Sequence, residues 1–378
     1  MPDRKVERAE ICRILAKTQG IQMLAPRRIG KTWLMHRVAE DLRGQGWITV
    51  FTDVEGMRSE DEFLRDLCKK IEELGSVSQR VFSHLSQRLR QFTSGAWEGN
   101  PINAIGRIDA KGFSEALVAA LDTQGGHTLI LVDEIALFVT VLLAKDEPAT
   151  LDFLYHLTKL RQAYPRVRWL LTGSIGLDVV ARRARLQGAL VDLEIFPLEP
   201  FSEDAARAYI ASLCANKEVR WPFALDDAAF GHLARELGWL APFYLKLIAD
   251  RIRPTGELAL NGLPFALASD IDGAFNELLK PAYRGHFSTW EEHIDKNFPP
   301  DESKLLHAIL NVCCEKAEGE AFATLQARLG AIRPSLQARD IKNLLTALVN
   351  DGFLQEITGR WRFRSGLLRR YWQTYMHE

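Results

Sequence analysis

Two spacings of apolar residues alternate along the first two hundred positions. Short, mostly apolar runs at residues 21–24, 48–52, 128–132, 167–171 and 193–198 are strand-length, several of them rich in β-branched residues. Between them the apolar positions fall three and four apart: Ile11, Ile14 and Leu15; Leu34, Met35, Val38 and Leu42; then helical stretches over residues 59–74, 113–121 and 151–164. Ser59 with Asp61 and Glu62 behind it reads as an N-cap and an acidic first turn. Five strands separated by helices predict a doubly wound α/β sheet, and the uninterrupted run at 128–132 predicts a strand buried on both faces, as in a parallel sheet.

Beyond Phe201 the strand pattern stops. Helices are predicted over 202–213, 226–237 and 241–252, with Pro242 suited to a first helical turn. Residues 253–300 read as a connector with one amphipathic piece at 270–279. The last segment predicts helices at 303–312, 322–329 and 336–349, then a hairpin around Thr358-Gly359, which together make a winged helix. Residues 76–112 fit less well. Val81, Leu85, Leu89 and Phe92 suggest an amphipathic helix, followed by a Gly- and Asn-containing loop, and the region reads as an insertion of unknown role. The expected domains are a core over 1–200, a helical lid and connector over 201–300, and a winged helix over 301–378.

Chemistry enters at the first strand-to-helix junction, where Gly20-Ile21-Gln22-Met23-Leu24 runs through Ala25-Pro26-Arg27-Arg28-Ile29 into Gly30-Lys31-Thr32-Trp33. Loop amides and a helix N-terminus create an anion site. Residues Ala25, Pro26, Arg27, Arg28, Ile29, Gly30, Lys31, Thr32 and Trp33 are therefore the candidate nucleotide-binding set. Lys31 would reach the β- and γ-phosphates of ATP, and the Thr32 hydroxyl would ligate Mg²⁺. Ala25 stands where the phosphate-loop pattern has its first Gly. It adds only a methyl, so tolerance is expected.

The run at 128–132 ends in Asp133-Glu134. Asp133 is expected in the Mg²⁺ shell with Thr32, and Glu134 is expected to orient and deprotonate the attacking water. A surface Asp-Glu pair at a strand end is the plainer reading, and Gly30-Lys31-Thr32 upstream favours the functional one. The strand at 167–171 ends in Thr172-Gly173-Ser174, whose Thr172 hydroxyl is placed to sense the γ-phosphate, with an ordinary turn as the alternative. The catalytic candidates are thus Glu134, Lys31 and Thr172, the metal candidates Thr32 and Asp133, and the cofactors ATP and Mg²⁺.

Composition narrows the setting. The apolar fraction is 47%, the charged fraction 26% and the net charge −1, so no global basic field points to nucleic acid. Cys12, Cys68, Cys214, Cys313 and Cys314 show no C-x-x-C spacing and read as buried thiols in a reducing cytosol. Residues 1–5 lead into no apolar run, and the most apolar stretch, 128–144, is interrupted by Asp133 and Glu134. A cytoplasmic chain without a membrane span is expected.

With these pieces in order, the chain resembles the AAA+-like P-loop ATPases of the STAND and archaeal-type group, which includes bacterial members. Glu7-Arg8-Ala9-Glu10 is similar to the group's Arg-Glu box, Ala25 to Thr32 to its Pro-Arg-Arg form of Walker A, and Leu131-Val132-Asp133-Glu134 to its Walker B. Residues 171–177 resemble its sensor segment, 197–202 the opening of its lid, and 344–371 its winged helix. The resemblance implies an ASCE-type sheet ordered 5-1-4-3-2, with the Thr172 strand between those carrying Lys31 and Asp133. It also implies slow or partner-stimulated ATP hydrolysis to ADP and phosphate. An arginine acting in trans would come from Arg161, Arg182, Arg183 or Arg185, each equally readable as a solvated helix charge. Arg27 and Arg28 lie closer to the chemistry, with packing of one of them against the lid as the alternative. The lid proline follows a longer Gly238-Trp239-Leu240-Ala241 lead than is usual for the group.

The winged helix raises the question of DNA. Strand alternation is expected to turn Arg360, Arg362 and Arg364 to solvent together, opposite Trp361 and Phe363. Yet the third helix offers only Arg339 and Lys342, offset by Asp340, and residues 301–378 hold eleven Lys and Arg against nine Asp and Glu. A protein partner or homo-oligomer is the favoured reading, and an origin-recognition- or transposition-like DNA-associated ATPase is the alternative.

Overall fold

The unbroken apolar runs pair side by side. In the computed structural model, which describes residues 4–90, 100–173 and 187–377, β1 (Gly20–Leu24), β2 (Ile48–Asp53), β3 (Thr128–Asp133), β4 (Val167–Gly173) and β5 (Glu194–Pro197) form one sheet in the order β2-β3-β4-β1-β5. Every pairing is parallel. This is the α/β fold and the strand order expected from the sequence and its resemblance, with β4 between β1 and β3.

β3 and β4 are buried along their whole length, which is why their sequences lack polar alternation. Val50, Ile130, Val132, Trp169 and Leu171 enter one core with Phe63, Phe113 and Phe138. Alternation sends Leu131, Asp133, Leu170 and Thr172 to the opposite face. The first helices are α1 (Lys5–Leu15) and α2 (Lys31–Gly44), joined by Arg8 Nε donating to Asp41 Oδ2 at 2.7 Å. Next come α3 (Glu60–Glu72) and α4 (Ser76–Leu89). Ser59 caps α3 by accepting from the Glu62 amide at 3.3 Å. Val81, Leu85 and Leu89 of α4 are fully buried with Ala104 and Ile105, so this stretch is part of the core and not an appendage. Phe92 lies outside the described residues. Then follow α5 (Ala110–Asp122), α6 (Ile135–Lys145) and α7 (Glu147–Ala163). α6 carries no amphipathic signal in the sequence, because its Ile135, Ala136, Leu137, Phe138 and Val139 give an almost unbroken apolar run without a polar face.

These elements belong to one compact unit, Arg4–Ala25 with Lys31–Leu198; the second takes Glu199–Glu378 together with Pro26–Gly30. The second unit begins with α8 (Glu203–Ala215), α9 (Asp227–Leu237) and α10 (Pro242–Ala249), the last opening on Pro242 as expected. It continues with α11 (Ala268–Leu278), α12 (Gly285–Asn297) and α13 (Pro300–Cys314). α12 lies in the stretch read as connector, and its Phe287, Trp290 and Ile294 are buried. Then come β6 (Glu320–Ala321), α14 (Phe322–Ile332), α15 (Ala338–Asn350), β7 (Leu354–Ile357), β8 (Arg360–Phe363) and α16 (Gly366–Tyr375). β8 is the middle strand of the antiparallel order β6-β8-β7. Trp290 meets Phe353 edge-on at 4.7 Å, and Phe353 meets Trp372 at 6.0 Å, so α12 and α16 close the same core.

One expectation is corrected here. Arg360, Arg362 and Arg364 do not face solvent together. Arg364 is largely buried, with Nε donating to the Leu354 carbonyl at 2.8 Å and a terminal nitrogen donating to the Val349 carbonyl at 3.2 Å. Burial holds its pKa below the ordinary arginine value. Arg362 has a buried Nε, and Arg360 donates to the Gly319 carbonyl at 2.9 Å. Arg369 reaches the Cys314 carbonyl at 3.2 Å, and Arg370 pairs with Glu236. Arg360 in β8 and Arg364, Arg369 and Arg370 after it thus tie the segment to neighbouring chain.

Candidate active site

The loop from β1 to α2 turns through a left-handed conformation at Arg28, with φ 67°, which is strained for a non-glycine residue, and at Gly30, with φ 93°, which glycine adopts freely. Ala25 is buried and is not among the positive-φ residues, so the missing first glycine meets no conformational demand. Lys31 opens α2, is 7% exposed, and donates from Nζ to the Ala25 carbonyl at 3.2 Å. That bond folds the lysine back across the loop toward the end of β1.

Thr32 and Asp133 lie about a hundred positions apart in sequence. The Thr32 hydroxyl donates to Asp133 Oδ2 at 2.5 Å. Asp133 is 2% exposed, and the Glu134 amide donates to its Oδ1 at 3.0 Å. Burial pushes the Asp133 carboxyl above its ordinary range; the Thr32 hydrogen bond and Lys31 oppose this, while Glu134 and Asp53 add to it. Asp53, aligned with Asp133 in the β2–β3 register, thus belongs to the site too. Its only sequence signal was a carboxylate at a strand's carboxyl end. Glu134 follows with φ 57°, a left-handed turn that ends β3 and starts α6.

Thr172 sits on β4 beside Met23 of β1, with Leu171 aligned to Val132 of β3. It is 1% exposed, and its hydroxyl is buried without a hydrogen-bond partner. An orphaned hydroxyl at a strand end, on the Asp133 face, fits a missing acceptor such as a phosphate oxygen or a polarised water. Buried Asp133, desolvated and bonded to a hydroxyl, likewise fits a divalent cation such as Mg²⁺. The residues present therefore fit a phosphate group with Mg²⁺, as a nucleoside triphosphate would supply.

The remaining loop residues have neighbours no spacing could announce. Arg28 lays its guanidinium 4.3 Å over the Phe243 ring and donates to Thr289 Oγ1 at 2.9 Å. A Cβ on Gly30 would stand 3.9 Å from Pro242, and one on Gly352 would fall 2.7 Å from Pro26. Arg27 has a buried Nε without a partner, Ile29 is fully buried, and Trp33 is half-buried with Arg37 over its ring at 5.4 Å. Arg161, offered as an arginine acting in trans, is 2% exposed and tied to Asp192 at 2.7 and 2.8 Å, so it is an internal ion pair. Arg182, Arg183, Arg185 and Ser174 lie outside the described residues. A small apolar cavity lined chiefly by Phe63, Val132, Val139, Trp169 and Leu171, with Arg161 at its wall, is lined by none of Lys31, Thr32, Asp133, Glu134 and Thr172.

No family model matches the sequence, and no curated protein is similar enough to match it. Among solved structures, a Walker-type ATPase of Pyrococcus abyssi aligns over 99% of this chain and 96% of its own, at 14% identity and a TM-score of 0.67. The ORC2 protein of Aeropyrum pernix, solved with ADPNP and ADP, aligns over 98% of this chain and 92% of its own, at 14% identity and a TM-score of 0.57. At such identity the likeness is one of fold alone.

Proposed function

We propose that this protein is an ATP-binding, Mg²⁺-dependent P-loop ATPase of AAA+-like, STAND-related type, whose nucleotide state repositions a helical lid and a C-terminal winged helix. The observation that carries this reading is the 2.5 Å bond between Thr32 at the head of α2 and buried Asp133 at the end of β3. A hydroxyl and a carboxylate joined this way are the two protein groups a phosphate-bound Mg²⁺ needs.

Each residue then has a part. Lys31 exchanges the Ala25 carbonyl for a phosphate oxygen. Loop amides of residues 25–32, preset by the turns at Arg28 and Gly30, point donors at the phosphates. Thr32 and Asp133 hold Mg²⁺, which when bound neutralises charge on the transferring phosphate. Glu134 takes the proton of the attacking water, and Thr172 donates to the terminal phosphate or that water. Arg360, Arg364, Arg369 and Arg370 are tied to carbonyls and to Glu236, which favours a protein partner or self-association over DNA.

The test is ATP hydrolysis by wild type, Lys31→Ala and Glu134→Gln, with and without duplex DNA. Lys31→Ala should lose ATP binding, and Glu134→Gln should bind ATP but turn over about 10²–10⁴-fold more slowly. Unchanged ATP binding by Lys31→Ala would sink the site assignment. Strong stimulation by DNA would replace this reading with the DNA-associated one.

A further inference from the structure

The loop between α8 and α9 and the stretch that follows α10 are stitched into one patch of the second unit. The Ala224 amide donates to the Pro264 carbonyl, and the Ala266 amide to the Ala224 carbonyl, both at 2.9 Å. The Gly256 and Phe265 amides donate to the Phe265 and Glu257 carbonyls, also at 2.9 Å. The chain between them turns back as a hairpin through Asn261-Gly262, with Gly262 at φ 77°. A Cβ on Gly256 would fall 2.6 Å from the Phe265 carbonyl oxygen, so the base of the hairpin is held at close quarters.

Two guanidiniums converge here on one ring. Arg220 stands 4.5 Å and Arg253 4.8 Å over the half-buried Trp221 indole. Both arginines are exposed, and among the described residues neither forms an ion pair or gives a hydrogen bond. The acids around them are engaged elsewhere. Glu277 accepts from Lys280 at 2.8 Å and from the Tyr283 hydroxyl at 3.1 Å, and Asp250 faces Lys246 at 3.6 Å. Glu257 is exposed and unpaired, one carboxylate against two guanidiniums. Stacking thus holds two cations whose N–H forks are unclaimed. On the hairpin, Leu258 is 72% exposed and Leu260 fully exposed. One exposed leucine signifies little, but here two stand on an ordered hairpin whose base carries the Arg-Trp-Arg stack. Arginine and tryptophan are the residues on which binding energy concentrates, and the leucines supply apolar area to bury.

We propose that this patch docks an acidic amphipathic segment of a partner protein, with carboxylates on Arg220 and Arg253 and apolar side chains on Leu258 and Leu260. Carboxylates match guanidinium forks bidentately, and ordering these arginines costs little because the indole already holds them. Nucleic acid fits less well. An indole covered by two guanidiniums is a poor platform for a base, and two free arginines are fewer than the phosphate contacts that hold a duplex. The inference deepens the protein-partner reading above and does not rest on the phosphate loop.

The experiment titrates full-length protein against a dye-labelled helical peptide of Glu and Leu, about 18 residues and so about 27 Å long, read by fluorescence anisotropy. Wild type should bind it, and should not bind the same peptide with Lys in place of Glu or Ser in place of Leu. Arg220→Gln with Arg253→Gln should weaken binding about tenfold or more, the scale of lost charge-assisted hydrogen bonds. Leu258→Ser with Leu260→Ser should weaken it about tenfold through lost apolar burial. Both double variants should match wild type in melting temperature and in ATP binding, which separates lost docking from lost folding and from any failure of the phosphate loop. No binding by wild type, equal binding by the variants, or displacement of the peptide by duplex DNA would overturn the proposal. So would a wild-type dimer in sedimentation that both variants dissociate, because a second copy would then cover the patch.

Discussion

Thr172 and Asp133 are both buried at strand ends, and each is less stable there than it would be with a ligand. The Thr172 hydroxyl lacks a partner, so an isosteric Val removes an unsatisfied polar group. Thr172→Val should leave the melting temperature equal or higher while lowering ATP turnover about 10²-fold, the scale of losing one preorganised donor. A lowered melting temperature with normal turnover would count against the sensing role. Asp133 has a folded pKa above its unfolded one, mainly through burial. For a carboxyl shifted that way the unfolded chain gives up its proton first, so apo stability falls as pH rises from the unfolded toward the folded value. Asp133→Asn should therefore raise the melting temperature of nucleotide-free protein at neutral pH and abolish the further rise that Mg²⁺-ATP gives wild type. Both outcomes are read by thermal unfolding with and without nucleotide. The two residues could be named from strand-end position alone, but not the bond from Thr32 or the orphaned hydroxyl, which exist only once β3, β4 and α2 are side by side.

At the scale of elements, the turn between α15 and β7 is tightly constrained. Gly352 has φ 90°, and a Cβ there would lie 2.7 Å from the Pro26 Cβ and 3.3 Å from Trp239. Gly352→Ala should destabilise by about 1–3 kcal/mol in urea unfolding, since neither backbone nor neighbours can give way cheaply. It should also weaken ATP binding, because Pro26 belongs to the phosphate loop; unaltered stability would show that the turn yields. Arg364 makes a second case. Its guanidinium satisfies the carbonyls of Leu354 and Val349, so Arg364→Gln should destabilise by about 1–3 kcal/mol without changing any affinity for DNA. A selective loss of DNA binding at full stability would restore the solvent-facing reading. Amphipathic elements such as α2 and α3 were legible because one face is polar. α6 and α12 were not: the first has little polar face, and the second has its buried Phe287, Trp290 and Ile294 set among Gly, Pro and aromatics that resemble loop.

For the whole molecule, the near-neutral charge and the tied arginines bear on partners. A duplex DNA fragment at about 0.15 M salt should leave the ATPase rate unchanged, and any binding should fall with salt far less steeply than for a protein neutralising 6–10 phosphates. Rate stimulation with a steep salt slope would reverse the preference. Sedimentation with ADP and then with ATP plus Mg²⁺ should separate nucleotide-dependent self-association from a lone switch. By itself the sequence determined the alternation of strands and helices, the phosphate loop and its carboxylate pair, because apolar period and Gly-Lys-Thr spacing are local properties of a chain. Only the tertiary structure decided that Ala25 needs no glycine's freedom, that Arg28 is held by Phe243 and Thr289, and that Arg161 and Arg364 are internal ties. The side-chain contacts among these join positions from 10 to 261 residues apart, and no local period encodes which side chain from another segment will fill a given space.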